Sequence, residues 1–140
     1  MKAAHELHNS VLARCAVAAA APADNTAQVG EIIDMQGYEA CEFVIVTGTL
    51  ADADATFTVL MEEGDQSDLS DAATVADLDM LGTEADAGFT FADDKATRMI
   101  GYRGNKRYVR LTITPAGNAS AAPMAAAALM YPGTLYPPAA

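Results

Sequence analysis

Two histidines (His5 and His8), two cysteines (Cys15 and Cys41) and 19 carboxylates are the side chains with which this chain could do chemistry. A serine or thiol nucleophile needs a base held beside it on a rigid element. Both histidines fall within the first eight residues, ahead of any strong structural pattern. Glu62 and Glu63 are adjacent, and adjacent residues of a strand point to opposite faces, so they do not form the facing carboxylate pair of a glycosidase. Asp65, Asp68 and Asp71 bring three acids into a short stretch, but an EF-hand needs oxygen ligands at alternate positions, a central glycine and a distant bidentate glutamate. No dinucleotide-binding glycine fingerprint, phosphate loop or nucleophile elbow is present. Neither cysteine has a CxxC or Cys/His spacing, so both are expected to be small buried thiols with no disulfide, metal or cofactor role. The sequence does not read as an enzyme.

Charge is segregated along the chain. Residues 51–94 hold 13 acids and no base, whereas residues 95–110 hold six bases (Lys95, Arg98, Arg103, Lys106, Arg107, Arg110) and no acid. The basic cluster either meets an acidic partner or balances the acidic loops of its own chain. The net charge of −11 excludes general binding of nucleic acid, which needs a basic surface. No apolar run is long enough to cross a bilayer, so no membrane partner is expected. The stretch from Lys2 through residues 11–21 imitates a secretory signal, but Arg14 interrupts its apolar segment and no export is expected.

The elements that would carry these residues have period two. The chain is 140 residues and 51% apolar, yet 31 of the apolar residues are alanine, which implies one domain with a thin core. Residues 28–35 alternate weakly, and residues 38–49 form a strand apolar on both faces at Phe43-Val44-Ile45-Val46, expected to be central and covered on both sides. Residues 56–63 put Phe57, Val59 and Met61 on one face. Residues 96–103 and 106–114, joined by Gly104-Asn105, read as a hairpin with Arg103 opposite Lys106 and Ile100 opposite Val109. Its core face is Ile100, Val109, Leu111 and Ile113. Residues 124–131 form a last strand of small residues. Seven or eight short strands separated by turns predict an all-β protein, a single β-sandwich with jelly-roll-like topology. The domain spans residues 26–131, with an N-terminal arm over residues 1–25 and a proline-rich C-terminal tail over residues 132–140. Both ends are expected to order only against a partner.

The run Glu31-Ile32-Ile33-Asp34-Met35-Gln36-Gly37-Tyr38-Glu39 leads into Glu42-Phe43-Val44-Ile45-Val46-Thr47-Gly48-Thr49. It is followed by Asp54-Ala55-Thr56-Phe57-Thr58-Val59-Leu60, then Leu81-Gly82-Thr83-Glu84, then Ile100-Gly101-Tyr102-Arg103-Gly104-Asn105-Lys106-Arg107-Tyr108-Val109-Arg110-Leu111. Across residues 26–130 this ordered series resembles the head decoration, or cement, proteins of tailed bacteriophages. The resemblance implies a structural virion protein on the outer surface of the capsid, present in the host cytoplasm during assembly, that ties neighbouring major capsid subunits together. Its partners would be the phage major capsid protein and itself, with a homodimer favoured and a homotrimer the alternative. Capsid or self-association contacts are expected first in the N-terminal arm (Leu7, Val11, Leu12), then at the hairpin tip (Arg103, Lys106), then at Tyr131, Leu135 and Tyr136. The alternatives are a head-tail joining or tail component, and a carbohydrate-binding adhesion module. The last lacks a visible aromatic platform, because Trp is absent and Tyr102 and Tyr108 fall on opposite faces.

Overall fold

A computed structural model describes residues 6–132. Eleven strands form two antiparallel sheets. The first sheet is ordered β1 (Leu12–Ala20), β11 (Met124–Pro132), β4 (Tyr38–Thr47), β9 (Thr97–Tyr102), β7 (Met80–Leu81). The second is ordered β2 (Gln28–Val29), β10 (Tyr108–Ala116), β5 (Thr56–Gly64), β6 (Ala73–Thr74), with β3 (Ile33–Asp34) also pairing β10 and β8 (Phe89–Thr90) pairing β5. The principal strands alternate between sheets in chain order: β1, then β2 and β3 across, β4 back, β5 across, β9 back, β10 across, β11 back. That winding is a jelly roll, as the sequence pattern predicts.

Alternation builds the core. Phe43 and Ile45 of β4, Ile100 of β9 and Met130 of β11 face Phe57 and Met61 of β5 and Val109, Leu111 and Ile113 of β10, all fully buried. Phe57 stacks on Phe89 with ring centroids 4.7 Å apart. Each such side chain contributes about 1.5–3 kcal/mol by leaving water. On the β1–β11 flank the buried inward positions Ala16, Ala126 and Ala128 are alanines, so that flank contributes little side-chain volume to the core.

Three expectations are corrected. Residues 1–25 are not wholly an arm: β1 pairs with β11 from Leu12↔Met130 to Ala20↔Met124, so the sandwich begins near residue 12 rather than 26. The strand was illegible because register shifts between Cys15 and Val17 and between Val17 and Ala20 break its alternation. Residues 96–114 do not form a hairpin, because β9 pairs with β4 and β7 whereas β10 pairs with β5, β2 and β3. Gly104-Asn105 lies on a corner between sheets, where Ile100 and Val109 both reach the core from opposite sides. The Tyr102 hydroxyl holds that corner by donating to Glu63 Oε1 (2.7 Å) and accepting the Lys106 N–H (3.0 Å). Finally, β4 is central but covered on one side only, since Val46 is half exposed.

Gly30 joins the two sheets. Its N–H donates to Leu111 O of β10 (2.9 Å), and the next N–H, of Glu31, donates to Ala16 O of β1 (2.7 Å). A methyl group on Gly30 would collide with both of these carbonyl oxygens.

Candidate functional site

The acidic loops hold themselves. Asp71 accepts the N–H groups of Asp65 (2.8 Å) and Gln66 (3.2 Å), and Asp68 accepts that of Ser70 (3.0 Å). These backbone hydrogen bonds lower both carboxyl pKa values below the ordinary range. The Asp68 and Asp71 carboxylates therefore close turns while that of Asp65 meets Lys106, and no group of three or more metal-ligating side chains occurs among the described residues.

The basic cluster is largely matched by the chain's own acids. Lys106 pairs with Asp65 (2.8 Å), Arg107 with Asp34 (2.9 Å), Arg110 with Glu62 (3.0 Å) and Arg98 with Asp93 (2.9 Å). Of the expected tip residues, Arg103 is exposed while Lys106 is already engaged. Glu62 and Glu63 do point apart: Glu62 meets Arg110 on the outside, and Glu63 meets Tyr102 between the sheets.

The remaining expected contacts scatter. Leu7 is 64% exposed on a turn closed by Ser10 N–H to Leu7 O (2.9 Å), whereas Val11 and Leu12 are half-buried, Leu12 within β1. Tyr131 lies on β11, and Leu135 and Tyr136 lie outside the described residues. Cys41 is buried as expected, its thiol pushed up to about 12 by loss of water and by the nearby Glu42 charge. Cys15 is instead exposed.

What the structure assembles is an open sheet face that the sequence reading missed. Register places the side chains outside the five-stranded sheet in rows: Cys15, Ala127, Val44, Met99 in one, and Ala13, Leu129, Glu42, Gly101, Leu81 in the next. A third row holds Ala125, Val46 and Thr97, and Tyr131 opposite Ala40 extends the face at one end. Met99 is 57% exposed, Leu81 53%, Val46 51% and Tyr131 42%. The outside of the other sheet is different. There Val29 (60% exposed) and Leu60 (37%) flank Thr112, but they sit singly among Thr56, Thr58, Thr114 and the Glu62–Arg110 ion pair, the mixed covering usual for a solvated sheet.

Glu42 carries the one charge in those three rows. Its carboxylate lies over Gly101, where a methyl group would come within 2.7 Å of Glu42 Oε1 and 3.1 Å of Leu81 Cβ. It makes neither a hydrogen bond nor an ion pair among the described residues. Partial burial alone raises its pKa above the ordinary carboxylate value. The signal that could have found this face was present in Val44, Val46, Met99 and Leu81, but pairing partners were needed to show that they share a side.

No family model matches the chain, and no curated protein matches it. Among solved structures, it overlays on a chain from the capsid of Ralstonia phage GP4 with a TM-score of 0.52 and 13% identity, covering 89% of this chain and 86% of that one. The likeness is one of fold. Weaker overlaps occur with a Bacillus endospore appendage protein (TM-score 0.44, 12% identity, 88% of each chain) and with a Clostridium thermocellum xylanase bearing CBM22-1 and GH10 modules. The latter has a TM-score of 0.40 at 10% identity, over 74% of this chain and 18% of that one. At such values the overlap carries no argument about function.

Proposed function

We propose that the protein is a structural component of a phage virion, a head decoration protein that binds the outer surface of the capsid and ties neighbouring major capsid subunits together. The observation that carries this reading is the jelly roll shared, over 89% of the chain, with a protein of the Ralstonia phage GP4 capsid. The ordered sequence resemblance to cement proteins supports it independently. The role is mechanical and involves no catalysis: a rigid sandwich presents a fixed surface, and many copies on one shell gain from effective concentration. The expected homodimer belongs to the same reading.

Heads purified without this protein, titrated with it and sedimented, test the proposal. Saturation at a simple ratio of copies to major capsid subunits is the expected result. Saturation at about a dozen copies would instead assign a head-tail joining role at a vertex. Absence of binding at any concentration would overturn the virion reading.

A further inference from the structure

The basic corner between β9 and β10 has most of its cations matched internally, whereas the outside of the five-stranded sheet has Val46, Met99 and Leu81 more than half exposed and, among the described residues, a carboxylate without a counter-charge. We infer that this open face is the surface that seats on the shell, and that the capsid surface it meets is apolar and carries a cationic side chain that pairs with Glu42. The inference rests on the decoration reading.

The apolar part of the argument is the contrast between the two sheets. Val46, Met99 and Leu81 are each more than half exposed on the first with one charge among them, while on the second the exposed Val29 and Leu60 are separated by Thr112 and bordered by Thr58, Thr114 and an ion pair. A contiguous apolar face on a strongly acidic protein marks a contact surface. The charge part is Glu42. Any partner that covers Val44, Val46 and Met99 also strips water from the carboxylate between Leu129 and Gly101. An enclosed charge without a counter-charge is costly, so the occupant must supply a cation.

A second copy of this chain is the poorer fit. Twofold pairing sets a patch against itself. The three rows hold no lysine or arginine, so the contact would enclose two Glu42 carboxylates between two bodies of charge −11. Residues 133–140 bring no cation either, and the cation that residues 1–5 hold, Lys2, is removed by the truncation in the test below.

The test uses the full chain on heads lacking it, with Glu42→Lys, Glu42→Gln and Val46→Asp as face variants and Leu60→Asp, on the other sheet, as control. Glu42→Lys and Val46→Asp should each weaken binding by about tenfold or more, Glu42→Gln by less, and Leu60→Asp not at all. Cys15, exposed in the same rows, should be shielded from alkylation on the head. Buried Cys41 should stay unreactive in every variant, which reports that each is folded. Parent-like saturation by both Glu42→Lys and Val46→Asp would overturn the face assignment and leave the decoration reading standing. Heads that take up no parent protein would overturn the decoration reading and this inference with it. Self-association of the free protein that Val46→Asp abolishes would give the face to a second copy. Faster Cys15 alkylation after removal of residues 1–5 or 133–140 would give it to the chain's own ends, and either result would overturn the proposal.

Discussion

Tyr102 shows how one side chain ties the two sheets at the corner the sequence reads as a hairpin. Its hydroxyl is both donor and acceptor, to Glu63 and from Lys106, and burial followed by the Glu63 hydrogen bond raises its pKa. Tyr102→Phe leaves the Lys106 N–H and the Glu63 carboxylate without this partner. The expected cost is about 1–2 kcal/mol, read as a lower urea midpoint with an unchanged slope. The exposed carboxylates set the pH response. Asp34 is held low by Arg107, and Asp93 by the Thr90 N–H and then by Arg98, so each contributes stability above its unfolded pKa that is lost as pH falls through the folded value. Glu42 has the opposite sign, its contribution being present below its unfolded pKa and lost as pH rises through the raised one. Thermal melts should therefore be flat near neutrality and fall once pH drops below about 4, with Asp93→Asn flattening that fall.

At the scale of elements, β1 decides where the domain begins. Deleting residues 1–10 removes none of the described strands and should leave the fold intact. Deleting residues 1–20 removes β1 and bares the β11 edge over the seven residues from Met124 to Met130. An unpaired edge of that length templates association, so light scattering should show the longer deletion aggregating where the shorter does not. Gly30 is the second control point. Gly30→Ala pushes a methyl group into the carbonyls of Leu111 and Ala16, where backbone from each sheet must move. A loss of about 2 kcal/mol or more is expected, and hydrogen exchange should locate the loosening at β1 and β2.

At the scale of the whole molecule, matching within the chain changes how charge is used. A basic hairpin seeking an acidic partner would make attachment to heads strongly dependent on salt. With Lys106, Arg107, Arg110 and Arg98 engaged by their own acids, attachment through an apolar face with one ion pair should change little between about 50 and 500 mM salt. Binding isotherms at the two ends of that range check this, and a steep fall would return the contact to the exposed cations such as Arg103.

Alternation by itself determined the inward faces of the strong strands. Phe57, Val59 and Met61, and Val109, Leu111 and Ile113, point inward because a strand's period of two leaves no other way to bury them. It also determined the all-β class and the opposed directions of Glu62 and Glu63. Pairing was not contained in it. Gly104-Asn105 between two alternating runs is as compatible with a corner between sheets as with a hairpin within one, and only the jelly-roll winding, which sends β9 and β10 to different layers, chooses between them. The same limit hid β1, whose alanines and bulges carry little pattern, and the open face, whose rows exist only once β1, β11, β4, β9 and β7 are set side by side. Which face a residue occupies is a local property of the backbone, but which residues share that face is a property of long-range pairing, and that was decided by tertiary structure alone.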